Sequence, residues 1–227
     1  MDLPLPGGRD VRATLSDPAD PPSPDEAGDA TPGAVAACPP HPQMGGTRSD
    51  GRLQAVDEAL DERGIACLRF DYGPWDGGRG ERTDAVTAVG WLRERYDRVG
   101  LFGYSFGGAV AVLAAAQLAR ESRERAEGGG SGTARPRSVD AVSALAPASA
   151  LGDDPDLDAA AAVSDLDGPV QVVYGVRDET ADWKPIVERA RELGHDPVEV
   201  QGDHHFYGQY EKVARIVVEF LAGSLAE

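Results

Sequence analysis

Short apolar runs alternate along this chain with stretches in which apolar residues return every three or four positions. Residues 10–15, Asp-Val-Arg-Ala-Thr-Leu, switch between polar and apolar at every step, which predicts an early edge strand with one wet face. Residues 33–38, 65–70, 99–104, 139–147 and 169–175 are apolar runs of the kind expected for strands buried on both faces, and residues 196–200 add a last short strand. Between them lie helical patterns. Residues 49–63 place Leu53, Val56, Ala59 and Leu60 on one face, with Ser49 or Asp50 as N-cap and Gly64 just past the end. Residues 84–95 carry Val86, Val89, Trp91 and Leu92 on a second amphipathic helix. An alanine-rich helix runs from Ser105 to about Glu127, and helices at 183–193 and 212–222 complete the series.

Two stretches break this rhythm. Residues 16–32 are rich in Asp, Pro and Ser and read as a solvated loop, and residues 126–137 as a flexible Gly/Ser/Arg linker. Residues 153–167 are acidic and alanine-rich, a weak helix or a small cover. Strand and helix otherwise alternate with connections long enough to cross over. The expected fold is therefore one α/β domain over residues 1–227, a mostly parallel sheet covered by helices on both faces. Sites in such sheets lie at the carboxyl ends of the strands.

Candidate chemistry falls at those ends. The run from Val99 passes through Gly103-Tyr104-Ser105-Phe106-Gly107-Gly108 directly into a helix. This is the strand–turn–helix setting in which Gly-x-Ser-x-Gly holds a serine hydroxyl clear of the backbone. A serine nucleophile needs a base and a carboxylate to orient that base. Asp178 follows the 169–175 strand, with Glu179 beside it and Asp153 and Asp154 as remoter alternatives; His204 and His205 follow the last strand. The order Ser105, Asp178, histidine is the chain order this constellation takes on an α/β sheet. An acyl oxyanion would need two backbone N–H donors: Phe106, after the nucleophile, and a donor in the loop His41-Pro42-Gln43-Met44. Pro42 has no N–H to give. Tyr72, Trp75 and Phe206 sit on loops at the same sheet edge and are candidates to line a substrate pocket.

These pieces resemble the α/β-hydrolase superfamily, and within it small dienelactone-hydrolase-like serine hydrolases. The resemblance rests on Pro39–Gly46, Leu68–Tyr72, Gly80-Glu81 with Asp84, Gly103–Gly108, Tyr174–Asp178 and His204–Tyr207, spanning residues from about 33 onward. It implies an α/β-hydrolase fold with a minimal cap or none. Its implied base precedes an aromatic pair, which selects His205 before Phe206 and Tyr207 over His204, and its second oxyanion donor is His41 rather than Gln43. Dienelactone hydrolases themselves carry a cysteine nucleophile where this chain has Ser105, so another substrate is expected. The implied activity is cleavage of an ester or thioester of a small acyl substrate, without metal or organic cofactor. The alternatives are a non-catalytic binding protein, or an acyltransferase or peptidase on the same fold.

Charge narrows the partners. The chain of 227 residues has 39 acidic against 22 basic side chains, a net charge of -17, and its lysines are Lys184 and Lys212 alone. Such a field disfavours nucleic acid and anionic membranes. The opening Met1–Pro6 lacks a basic-then-apolar leader, and no apolar run approaches the ~20 residues of a membrane span, so a cytoplasmic location is expected. Cys38 and Cys67 sit in apolar runs and read as reduced core residues. The acidic, lysine-poor composition resembles that of halophilic proteins, in which salt screens self-repulsion. Raising KCl from about 0.1 M to about 1 M, which shortens the screening length from ~10 Å to ~3 Å, is therefore expected to raise Tm in a thermal melt. A falling Tm would contradict the halophilic reading.

Overall fold

The computed structural model describes residues 1–18, 33–128, 138–195 and 197–226. Most of the loop expected at 16–32 and most of the linker expected at 126–137 lie outside them. Eight strands form one sheet: β1 (Asp2–Pro4), β2 (Arg12–Ser16), β3 (Gly33–Cys38), β4 (Ala66–Asp71), β5 (Arg98–Tyr104), β6 (Ala141–Leu145), β7 (Val170–Gly175) and β8 (Val198–Val200). Their spatial order is β1-β2-β4-β3-β5-β6-β7-β8. The pairs β1–β2 and β2–β4 are antiparallel and all others parallel. The alternating strand is thus not the edge; the polar, proline-containing β1 lies outside it and ends the sheet, a common way of blunting an exposed edge.

The described residues form six α-helices: α1 (Gly51–Asp61), α2 (Arg79–Arg93), α3 (Phe106–Glu127), α4 (Ala159–Ala162), α5 (Lys184–Glu192) and α6 (Tyr210–Leu225); the short α4 packs on α3 and α5, and the other five on the sheet. Strand alternation sorts the core into two layers. Ala34, Ala36 and Cys38 of β3 join Leu68, Phe70 and Leu101 under α2, α3 and α5. Val35 and Ala37 join Cys67, Phe102, Leu145 and Val173 under α1 and α6. Each Leu or Phe fully buried in these layers stabilises the fold by about 1.5–3 kcal/mol. The first half of α3 is buried on all sides, which is why its sequence is alanine-rich rather than amphipathic. Both cysteines are buried free thiols.

Two helices start earlier than the apolar pattern implies. The first turn of α2 is polar, Arg79-Gly80-Glu81-Arg82-Thr83, and carries no apolar spacing. What starts it is the fully buried Glu81, whose carboxylate accepts the backbone N–H groups of Asp76 and Gly78 at 2.9 and 2.7 Å. α6 likewise begins at Tyr210. The 153–167 stretch folds as α4 flanked by 3-10 turns at Pro155–Leu157 and Val163–Asp165. Among the described residues no separate cap domain stands over the strand ends, and no helix is long and apolar enough to cross a membrane.

The sheet order reverses between β3 and β5, so their carboxyl ends meet at the switch point where α/β sheets bind ligands. There the backbones nearly touch. A Cβ on Gly107, in the first turn of α3, would lie 2.2 Å from the Cys38 carbonyl oxygen. Gly107→Ala should therefore lower stability by about 1–3 kcal/mol or more. Gly90→Ala, on an exposed helical position with nothing within 4 Å of the new methyl, should raise it by about 0.5–1 kcal/mol. Urea unfolding of the two variants checks both signs.

Candidate active site

Ser105 sits in the turn between β5 and α3 with φ +56°, a left-handed conformation rare for a side chain with a Cβ. Three close contacts hold it there. A Cβ on Gly103 would fall 2.0 Å from the Gly107 carbonyl oxygen, Gly107 faces the end of β3, and the Ser105 N–H donates to Leu145 O at 2.8 Å. The strained turn is thereby over-determined by its neighbours.

The candidate acid, Asp178, sits on the loop after β7. Asp178 Oδ1 accepts the N–H groups of Thr180 and Ala181 at 2.9 and 3.0 Å, and Oδ2 meets His204 Nδ1 at 2.7 Å. Burial pushes the Asp178 carboxyl up. The hydrogen bonds from His204, Ala181 and Thr180 outweigh it, so the group titrates below its ordinary value and stays ionised. A carboxylate can only accept, so Nδ1 of His204 donates and Nε2 is left to accept. Nε2 lies 2.9 Å from Ser105 Oγ. The loops after β7 and β8 can lie this close because a Cβ on Gly175 would already meet Gly202 O at 2.6 Å.

The histidine in contact with the serine is therefore His204, and not His205 as expected from the aromatic pair. From Gly202 to Tyr207 the loop alternates buried and exposed residues: His204 and Phe206 turn inward, His205 and Tyr207 outward. Asp203 Oδ1 accepts the N–H groups of His205 and Phe206, both at 3.0 Å, and Phe206 turns through φ +51°. The aromatic that anchors this loop is thus on the same side as His204. His205 stacks on Tyr207 at 5.1 Å, out at the rim. The local sign available in the sequence is Asp203 itself, a turn-former that starts an Asx turn and leaves the next residue facing in.

Above Ser105 opens a cleft of about 780 Å³. Its walls include His41, Met44, Trp75, Phe106, Leu151, Arg52, Tyr104, His205 and Tyr207. Of the three aromatics expected there, Trp75 lines it and the other two do not. Tyr72 is buried behind Phe106, edge-on at 5.8 Å, with its hydroxyl donating to Pro39 O at 3.1 Å. Phe206 is fully buried in the α1/α6 layer. The rings that do meet beside Ser105 are His41, Trp75 and Phe106, with centroids 4.6–5.7 Å apart. Met44, Leu151, Tyr207, Arg52 and Tyr104 are cleft residues that sequence reading passed over.

The backbone of the His41 loop separates the two candidate donors. Gln43 N–H is directed to His41 Nδ1 at 3.2 Å, while no described residue accepts from the backbone N–H of His41 or of Phe106. Burial lowers the pKa of the His41 imidazole, with Glu81 opposing the shift, so the ring stays neutral near pH 7. Among the described residues no three His, Cys, Asp or Glu converge as metal ligands would.

This geometry has structural counterparts. An α/β serine hydrolase homologue from Coxiella burnetii superposes with a TM-score of 0.72 at 20% identity, covering 97% of either chain. Est1E from Butyrivibrio proteoclasticus gives 0.75 at 19% identity, over 100% of this chain and 99% of that one. Dienelactone hydrolase from Anabaena variabilis gives 0.69 at 21% identity, over 98% and 95%. These likenesses establish the α/β-hydrolase fold. No curated protein matches in sequence. The family model described as bacterial virulence protein (VirJ) matches residues 64–224, most of the chain. With an α/β-hydrolase fold, then, this chain belongs to the family described as bacterial virulence protein (VirJ).

Proposed function

We propose that the protein is a serine hydrolase that cleaves an ester or thioester of a small acyl substrate through an acyl-enzyme. The observation that carries this reading is the unbroken hydrogen-bonded chain Asp178–His204–Ser105 at the foot of the cleft. Ser105 Oγ attacks the acyl carbonyl carbon as its proton passes to His204 Nε2, and Asp178 holds the Nδ1–H of the imidazolium that forms. Negative charge develops on the carbonyl oxygen, for which the Phe106 N–H at the head of α3 and the His41 N–H are the donors. Collapse of the adduct expels the alcohol or thiol, which takes the proton from His204. Water, deprotonated by the same histidine, then attacks the acyl-enzyme and releases the acid and free Ser105.

The mutually tilted rings of His41, Trp75 and Phe106 beside Ser105 offer an aromatic wall to the substrate. Ferulic acid has been seen bound to the structurally similar Est1E, and an aryl ester is a reasonable first member of any substrate panel. The acidic surface supports a small neutral or cationic substrate over nucleic acid or anionic membrane.

Three outcomes test the reading. Ser105→Ala should abolish both p-nitrophenyl acetate turnover and labelling by a fluorophosphonate; labelling that survives would sink it. His204→Ala should lower kcat by about 10³-fold or more, and His205→Ala by less than about tenfold. Asp178 contributes a pH-dependent share of stability. Its native value lies below its unfolded value of about 3.9. That share is complete above the unfolded value and fades as pH falls through the depressed native one. The Tm difference between wild type and Asp178→Asn should thus shrink between about pH 6 and about pH 3.

A further inference from the structure

One wall of the cleft carries a charge pair that the acyl-transfer steps do not use. Asp50, the N-cap of α1, accepts both the backbone N–H and the Nε of Arg52, at 2.9 and 2.8 Å, and Arg52 Nη2 bonds its other oxygen. The two side chains are only 10% and 12% exposed. With its fork closed on Asp50, the guanidinium turns its remaining edge toward the protein. Nη1 donates to the carbonyl of His205 at 3.0 Å and to the Tyr210 hydroxyl at 3.3 Å. The guanidinium carbon lies 4.2 Å from the centroid of the Tyr104 ring and 5.1 Å from that of Tyr210. Gly51 leaves room for this stack, since a Cβ there would meet Tyr210 Cε2 at 2.8 Å.

Tyr104, pinned under that guanidinium, donates its hydroxyl to the carbonyl of His204 at 3.1 Å. Two consecutive carbonyls of the histidine loop are therefore gripped from outside it. One is held by the residue next to Ser105, the other by the start of α1. The loop needs the restraint, because it passes through a left-handed Phe206 two residues later. A displacement of about 1 Å at a reacting group can cost on the order of 10² in rate.

We propose that Tyr104 and Arg52, the latter set by Asp50, are positioning residues that register the His204 imidazole on Ser105. The proposal rests on the reading of His204 as the base. Tyr104→Phe removes one hydroxyl and keeps the ring; Arg52→Lys keeps the charge and removes the fork. In the full chain, p-nitrophenyl acetate kcat should fall about three- to thirtyfold in each variant while KM stays within about twofold. The rate of fluorophosphonate inactivation should fall in parallel, and Arg52→Met should be worse than Arg52→Lys. The fold-loss in the Tyr104→Phe/Arg52→Lys double variant should be smaller than the product of the two single losses, since both act on one loop. Amide hydrogen exchange at residues 203–208 should quicken in the single variants without a matching change across β3 and β5.

Wild-type kcat, a change confined to KM, or unaltered exchange at 203–208 would each overturn the positioning role. Faster exchange with wild-type kcat would overturn it too. A wild-type protein that neither turns over ester nor takes the fluorophosphonate would instead overturn the hydrolase reading, and exchange would then decide whether the clamp holds the loop at all.

Discussion

The contact on which the site depends is the backbone approach of Gly107 to the carbonyls at the end of β3, 2.2 Å and 2.4 Å from a notional Cβ to Cys38 O and Pro39 O. It brings the head of α3 against the His41 loop, so the two proposed oxyanion donors share one rim. It also leaves Ser105 at φ +56° as the N-cap of α3, with its hydroxyl 2.9 Å from His204 Nε2. A methyl group at Gly103 or Gly107 would push these backbones apart, and the serine, both amides and the floor of the cleft would move together. The apolar mass of β3, β5 and α3 behind the turn, buried on every side, supplies the rigidity that keeps such a turn from relaxing.

On the other side, the pairing of Asp178 with His204 depends on a second close approach, between Gly175 and the Gly202 carbonyl. It sets two loops from neighbouring parallel strands close enough for a 2.7 Å contact between Asp178 and His204. Within the base loop, register is set by one turn-forming carboxylate, Asp203, and one buried ring, Phe206. Outside it, Tyr104 and Arg52 hold the carbonyls. The site is a set of loops, each with its own local conformation, fastened to one another by a few polar contacts of low exposure.

Arginine does similar fastening elsewhere in an otherwise acidic chain. Arg9 reaches Asp84 at 2.7 Å, Arg69 reaches Asp57 at 2.8 Å, and Arg93 and Arg98 share Asp140. The Asp84 and Asp57 carboxylates are mostly buried, where an unpaired charge would be costly. A planar fork can reach a carboxylate oxygen and a nearby carbonyl at once, as Arg69 does with Asp57 Oδ2 and Arg48 O. Exposed pairs such as Arg12–Asp10 add little by comparison.

Apolar runs and their punctuation settled the six parallel strands, the helices between them, the elbow serine and the order serine, aspartate, histidine. Those features are local: a strand's period, a glycine's freedom and the residue after a strand can all be seen within a few positions of each other. The polar first turn of α2 and the edge position of β1 were not legible, because a buried glutamate and a distant strand partner decide them. Asp203 was the one local sign for His204 over His205, and nothing nearby showed which of Tyr72, Trp75 and Phe206 faces the cleft. Adjacent residues in a loop point to opposite sides, and the dihedral angles that choose the side are set by contacts across the fold. Ser105 was named by its own neighbourhood; its partner was named by Asp178, 26 residues before His204 in sequence and 2.7 Å away in space.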